Sequence, residues 1–387
     1  MKIAVITSSR ADYGLLKPLI KRLVDDKFFD TRIIVTGTHL SSEFGNTYKE
    51  ILEDNFKIYS KISILQKTDT PISITKTCSI AIEKFGEQYK KLKPDAILVL
   101  GDRYEILCSV FSAVFFKIPV IHYSGGEKTE GAYDDAIRHA ITKMSHLHFV
   151  SCNEYKQRVI QLGENPRTVF NVGSLGVDNI KNIALLSKAQ FEYSIKSKIE
   201  DATFLVSYYP ETLSSLTAGK QFIEVLSALD KFKNCKIIFT KSNADNDGRV
   251  ISKMITKYVR KNKNCVAFES LGLVRYLSAI KYCSLVIGNS SSGLTEVPSF
   301  NKPTVNIGHR QKGRVLSKSV INCKVDRKDI EETIRKAISP AFTKTLKNHK
   351  SPFGNGNASL LIVKIIKKFN INLSVKKTFN DINFKVK

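Results

Sequence analysis

The 387-residue chain contains no apolar run approaching the roughly 18–20 residues that a membrane-crossing helix requires. Its opening, MKIAVITSSRADYG, lacks a basic region followed by a long apolar core and a small-residue cleavage site, so it does not read as a leader. A cytoplasmic location is expected. No Cys-x-x-Cys pair occurs; Cys78, Cys108, Cys152, Cys235, Cys265, Cys283 and Cys323 stand singly and are odd in number, which argues against a disulfide framework or a zinc knuckle. They read as small core residues in a reducing compartment. No internal repeat is visible beyond two similar halves. There is also no nucleic-acid module and none of the interleaving of aromatic and basic residues that single-strand binders use, although the formal charge is +25. The lysines are dispersed, as in Lys84, Lys90, Lys91 and Lys93, and read as a solvated surface. Neither a nucleic acid nor a membrane is expected as partner, and the positive potential favours a diphosphate ligand.

The length exceeds one ordinary core, since single cores stop growing near ~250 residues, and suits two domains. KIAVIT at 2–7, TRIIVT at 31–36 and AILVL at 96–100 are short runs without alternation, the pattern of strands buried on both faces. Helical spacing separates them: Leu15, Leu16, Leu19, Ile20, Leu23 and Val24 in a helix that Asp12 is placed to cap, and a second helix over 71–92. Further strands are expected at 119–122, 146–150 and 168–171. The segment 175–201 is helical and polar, and a second alternating series runs from Thr203 to Ile338. The fold class is α/β, with two doubly wound Rossmann-like domains and an interdomain cleft. The expected boundaries are 1–174, 175–369 (closing on an apolar helix over 358–369) and a weakly ordered basic tail over 370–387.

Ligands of such sheets sit beyond the carboxyl ends of the strands, and the unusual residues of this chain fall there. Asp102 and Arg103 follow one strand. Glu127, Glu130, Asp134 and Asp135 follow the next, with Arg138 and His139 one helical turn on, so that His139 lies above Asp135. Clustered carboxylates raise one another's pKa and an arginine lowers it, which permits one acid and one base. The plainer reading of Asp134 and Asp135 is as favourable charges at a helix start. GNSSSGLTE at 288–296 follows a buried strand and opens a helix, so backbone N–H groups and the hydroxyls of Ser290, Ser291 and Ser292 suit a phosphate, and Glu296 suits a ribose diol. The alternative is a serine-rich cap. GHRQKGR at 308–314 offers His309, Arg310, Lys312 and Arg314 to phosphate, or is a solvated basic loop. Arg10 follows the first strand.

Arg10-Ala11-Asp12-Tyr13-Gly14, Gly101-Asp102-Arg103-Tyr104-Glu105, Gly125-Gly126-Glu127-Lys128-Thr129, Tyr133-Asp134, the run Arg138 to Ser145, Pro210-Glu211-Thr212-Leu213, Ser242-Asn243-Ala244-Asp245, Gly288 to Glu296 and Arg310 to Arg314 together resemble the hydrolysing UDP-N-acetylglucosamine 2-epimerases, especially the NeuC group of bacterial sialic-acid synthesis. The resemblance spans roughly residues 1–320 in order. It implies the glycosyltransferase-B architecture, a homodimer or homotetramer, and a UDP-sugar substrate without metal or cofactor. The implied reaction expels UDP with loss of the carbon-two proton, giving a 2-acetamidoglucal, and then adds water to give N-acetylmannosamine. Asp102, Glu127 and Asp134 are the candidate acid–base groups, with Arg138 and His139 beside them as further catalytic candidates; by resemblance, Asp102 and Asp134 match acidic positions important in these enzymes. Arg10, Asn243, Ser290, Ser291, Ser292, Gly293, Glu296, Arg310 and Arg314 hold substrate.

Two positions depart from the pattern. Several relatives carry a glutamate where this chain has Ser124, and a histidine where it has Tyr209, a poor base near neutral pH. They keep open a 2,4-diacetamido-6-deoxy sugar nucleotide, UDP- or GDP-linked, of the kind used for legionaminic-type acids. They also keep open a nucleotide-sugar sensor or a glycosyltransferase.

Overall fold

In the computed structural model the run KIAVIT is a strand whose residues from Ile3 onward are buried, and AILVL is buried throughout. The model describes residues 1–68, 70–130, 133–211, 216–241, 248–347, 351–369 and 376–383. The chain divides into two units, one of Met1–Glu127, Tyr133–Asn179 and Phe353–Lys387, the other of Lys128–Ala132 and Ile180–Pro352.

The first unit is built, in chain order, from β1 (Lys2–Thr7), α1 (Arg10–Asp25), β2 (Asp30–Thr36), α2 (Tyr48–Glu53), β3 (Ile58–Ile62), α3 (Pro71–Leu92), β4 (Ala96–Leu100), α4 (Tyr104–Phe115), β5 (Val120–Tyr123), α5 (Asp134–Met144), β6 (Leu147–Val150), α6 (Asn153–Gln161) and β7 (Val169–Asn171). The helix α7 (Leu175–Asn182) carries the chain out of it. The second unit follows with α8 (Lys188–Ile195), β8 (Thr203–Ser207), α9 (Ala218–Leu229), β9 (Lys236–Thr240), α10 (Gly248–Lys261), β10 (Cys265–Phe268), α11 (Gly272–Tyr282), β11 (Leu285–Gly288), α12 (Ser292–Thr295), β12 (Thr304–Ile307), β13 (Val320–Cys323), α13 (Arg327–Ile338) and α14 (Pro340–Thr345); α15 (Ala358–Phe369) belongs again to the first.

Among the described residues the first sheet has the order β3-β2-β1-β4-β5-β6-β7 and the second β10-β9-β8-β11-β12-β13, with parallel neighbours throughout. Each order reverses once, between β1 and β4 and between β8 and β11. Such a switch point opens a crevice at the carboxyl ends of the two strands. Both faces of the first sheet are covered: Ile3 and Val5 of β1 pack in one core with α1 and α15, while Ala4 and Ile6 pack in the other with α3 and α4.

Several expectations are corrected. The helix over 358–369 does not close the second unit. Asp178, fully buried, accepts from the amides of Ala358 and Ser359 at 2.7 Å each, and Ala358, Ile362, Val363 and Ile366 fill the core beneath α1. The boundary at 174 and the assignment of 175–369 to one domain therefore change. The tail is described over 376–383, where Lys377 and Asn380 bond to the first unit; 370–375 and 384–387 lie outside the described residues. Ser9, not Asp12, is the N-cap of α1, and Asp12 closes the capping box from the third helical position. The serine loop leads into only one helical turn, Ser292–Thr295. Two edge strands, β3 and β13, went unread because neither is a continuous apolar run. No helix among the described residues is long and apolar enough to cross a membrane.

Candidate active site

In the first unit the site grows from the ends of β4 and β5. Gly101, at φ +87°, turns the chain out of β4, and its carbonyl lies 2.9 Å from His122 Nε2 on β5. Thr142 Oγ1 of α5 lies 3.4 Å from His122 Nδ1 and donates to the Arg138 carbonyl at 3.0 Å. Burial pushes the imidazole of His122 down to about 3, so the ring is neutral near pH 7 and its Nε2–H holds the turn that presents Asp102.

Arg138 is the hub. Only 1% of its side chain is exposed, and it donates to the Asp102 carboxylate, to Asp135 Oδ1 at 3.2 Å and to the Glu127 carbonyl at 3.0 Å. Burial works against its charge; Asp102 and Glu127 outweigh burial and raise its proton affinity. A buried guanidinium is tolerated only with such partners, so the charge network fixes the geometry of the acids. His139 Nε2 lies 3.5 Å from Asp135 Oδ2 across one helical turn. Asp134 is the first residue of α5, half-buried, and the Glu127 side chain is likewise half-buried. The structure thus gathers Asp102, Arg138 and the Glu127 main chain with Asp135 and His139. Ser124 has φ +74° and donates its amide to the Phe149 carbonyl at 3.0 Å.

At the switch point of the same sheet, Arg10 opens α1 and interacts electrostatically with Glu50. Asp12 beside it is locked: its carboxylate accepts from Thr7 Oγ1, from Ser8 N at 2.9 Å and Ser8 Oγ at 2.8 Å, and from Ser9 N at 3.1 Å. This carboxylate organises the turn that carries Arg10.

In the second unit the ends of β8, β11 and β12 are tied together by Asn289. Its side chain is fully buried, accepts from Tyr209 N at 2.8 Å and donates to the Tyr209 carbonyl at 2.8 Å. Its own carbonyl accepts from Arg310 Nη1 at 3.1 Å and Gln311 Nε2 at 2.8 Å. Gly288 just before it, at φ +136°, admits no side chain, because a Cβ would stand 2.0 Å from the Ser207 carbonyl oxygen. Glu211 adds a second tie by accepting from the amides of His309 at 2.6 Å and Arg310 at 3.2 Å. The guanidinium of Arg310 lies 5.0 Å from the centre of the Tyr209 ring, a cation–π distance. Tyr209 thus anchors a phosphate-binding candidate.

Ser290, Ser291 and Ser292 crown this scaffold. Gly293 follows because a Cβ there would meet Thr304 Cγ2 at 2.8 Å, and the half-buried Glu296 accepts from Thr295 Oγ1 at 2.6 Å. Ser292 and Tyr276 face each other in this enclosed place, and Gln311 Oε1 is an enclosed polar atom with no hydrogen-bond partner among the described residues. An enclosed polar atom without a partner costs about 1–3 kcal/mol, so this place suits a polar ligand. Lys312 of the basic loop pairs with Glu130 at 3.0 Å, while Arg314 donates its amide to the Gln311 carbonyl at 3.2 Å. Asn243 lies outside the described residues. Sequence reasoning met Asn289, Glu211 and Gln311 only as members of motifs and gave them no role. For Asn289 the available signal was an amide directly after a buried strand, where backbone groups of neighbouring loops need a partner.

Comparison with known proteins decides the family. The family model for UDP-N-acetylglucosamine 2-epimerase matches residues 21–367. This chain belongs to the UDP-N-acetylglucosamine 2-epimerase family. The chain is 42% identical over 98% of its length to the hydrolysing GDP/UDP-N,N'-diacetylbacillosamine 2-epimerase of Campylobacter jejuni, covering 99% of that protein. It is 41% identical over 95% of its length to the polysialic acid biosynthesis protein P7 of Escherichia coli, covering 94% of it. Its fold matches the crystal structure of UDP-GlcNAc 2-epimerase from Neisseria meningitidis bound to UDP-GlcNAc with a TM-score of 0.82 at 19% identity, covering 95% of this chain and 100% of that one. The two parallel-sheet units of the chain thus have a glycosyltransferase-B-like fold.

Proposed function

We propose that the chain is a hydrolysing 2-epimerase that converts UDP-N-acetylglucosamine and water to N-acetylmannosamine and UDP. The observation that carries the reading is the Asp102–Arg138 pair at the end of β4, a carboxylate oriented by a buried guanidinium at the switch side of a sheet. The carbon-two proton of the sugar is not acidified by a carbonyl. Its removal therefore runs with departure of the diphosphate: the C2–H and C1–O bonds break, the C1=C2 bond forms, the proton passes to a carboxylate, and the electron pair leaves with UDP. Asp102 is the first candidate for that proton, with Glu127 and Asp134 as the other acid–base groups. Water then adds its oxygen to carbon one, and a proton returns to carbon two on the other face.

Arg10, Arg310 and Arg314 take up the charge on the leaving diphosphate, and Ser290, Ser291 and Ser292 hold a phosphate. Asn243 and Gly293 complete the substrate contacts, and Glu296 accepts from the ribose. The protein works as a homodimer or homotetramer in the cytoplasm. A second reading, a 2,4-diacetamido-6-deoxy sugar on UDP or GDP, is favoured by the 42% identity to the Campylobacter jejuni enzyme and by Ser124.

Proton NMR in deuterium oxide tests the reading: purified protein is offered UDP-N-acetylglucosamine and, in parallel, the diacetamido nucleotide sugars. Free UDP with a carbon-two-deuterated N-acetylmannosamine supports the first reading. Turnover confined to a diacetamido sugar supports the second. Binding without turnover of either contradicts both and leaves a sensor, and release of UDP only with an added acceptor indicates a transferase.

A further inference from the structure

Far from the acids, the other end of α5 meets the C-terminal segment. Lys377 directs its ammonium at three acceptors: the Lys143 carbonyl at 2.6 Å, the Ser145 carbonyl, and Glu164 Oε2 at 2.8 Å. An ammonium has three donors, and here each has a partner. Two of those partners are carbonyls at the end of α5, which lack acceptable donors within the helix and carry its partial negative charge. The third, Glu164, is 2% exposed and also accepts from Lys143 Nζ at 2.8 Å and His148 Nε2 at 2.9 Å. Two residues beyond, the Phe379 ring covers Gly163, where a Cβ would stand 2.3 Å from it, and the Asn380 amide donates to the Gly163 carbonyl at 2.9 Å.

We propose that residues 376–383 form a strap that clamps the carboxyl end of α5 through Lys377, making Lys377 a positioning residue for Asp135, Arg138 and His139 at its other end. The helix has 11 residues, about 16 Å at 1.5 Å per residue, and behaves as one rigid body. One end is held by Arg138 on Asp102, and the other by Lys377. Thr142, between them, touches His122. Loosening the clamp lets α5 shift, and Arg138 with it, which misaligns the carboxylate that Arg138 orients. The catalytic consequence rests on the acid–base reading of this cluster; the clamp itself does not.

The test compares Lys377→Met, Lys377→Arg and the exposed-lysine control Lys368→Met by steady-state kinetics and by hydrogen–deuterium exchange, at a temperature where near-ultraviolet circular dichroism shows each folded. Lys377→Met is expected to lower kcat about tenfold with KM within twofold, while Lys377→Arg and Lys368→Met stay near the parent. In the same variant the amides of residues 137–145 exchange faster, and those of the second unit do not. Should Lys377→Met fail to fold, Phe379→Ala, which frees the segment but leaves Lys377 in the chain, is expected to show the same exchange pattern at smaller amplitude. Unchanged exchange over 137–145 overturns the strap, and so does a parent-like kcat in folded Lys377→Met. If the unaltered protein turns over no nucleotide sugar, the proposed function fails, and exchange alone decides the strap.

Discussion

The two sheets reverse in the same way, yet they furnish their switch points with different chemistry. The first unit places charged groups there, held by other charged groups: Arg138 on Asp102 and Asp135, Arg103 on the fully buried Glu105 at 3.1 Å. The second places amides and hydroxyls there, held by Asn289 and Glu211 on the main chain of neighbouring loops. A charged network can move protons but costs heavily if one partner is lost. The Asn289 amide and the Glu211 carboxylate, both bonded to main chain, shape a cradle and leave the serine hydroxyls for a ligand. Under the proposed function this contrast fits proton transfer in the first unit and nucleotide binding in the second.

The sharpest way to break that contrast is Asp102→Asn. Turnover is expected to fall on the order of 10³-fold, with UDP affinity, read by calorimetry, unchanged within several-fold. Full activity would refute the assignment.

Acid offers a second probe of the first unit. The folded-state pKa of His122, about 3, lies below the ordinary 6.5 of the unfolded chain. Between these values only the unfolded chain binds the proton, so the contribution to stability is complete above pH 6.5 and is lost as pH falls toward 3. From pH 7.5 to 5 the loss from this residue is about 2 kcal/mol. Burial shifts His148 in the same direction. Glu164 does not contribute in that window: burial raises its pKa, but His148, Lys143 and Lys377 hold it at about 2, so its share is lost only below about 4.5. Urea unfolding at both pH values should show the loss, and His122→Gln should flatten it; an equal slope in the variant would count against a neutral His122.

On the second unit, Asn289→Ala removes the side-chain bonds to Tyr209 that align two loops. UDP affinity is expected to drop about tenfold while kcat at saturation falls less than threefold. A collapse of kcat at unchanged affinity would reverse the division of labour. The smallest effect belongs to Tyr209. Tyr209→Phe keeps the ring under Arg310 and should leave UDP binding intact, whereas Tyr209→Ala should weaken it two- to fivefold, about 0.5–1 kcal/mol.

Much of this was legible in the sequence. Buried strands such as AILVL announce themselves by continuous apolar residues, and Asp135 and His139 by the helical repeat. The edge strand β3 did not: IYSKI is only half-buried and mixes polar with apolar residues. The docking of α15 was hidden because its cap, Asp178, is 180 residues away in sequence, and hydrogen bonding at that distance leaves no periodicity. Asn289 and Glu211 were hidden for a related reason. They bind backbone of other loops, which any sequence presents equally, so their motifs are visible in the sequence but their partners are not.

The account turns on where the carbon-two proton goes. The measurement that tests it most directly is proton NMR of the first turnover in deuterium oxide, with the parent protein and Asp102→Asn side by side on the nucleotide sugar that the parent accepts. The proposed reaction requires UDP release and full deuterium at carbon two of the parent's product, and neither from the variant. Product from the parent that retains its carbon-two proton, or a variant that matches the parent, would contradict it.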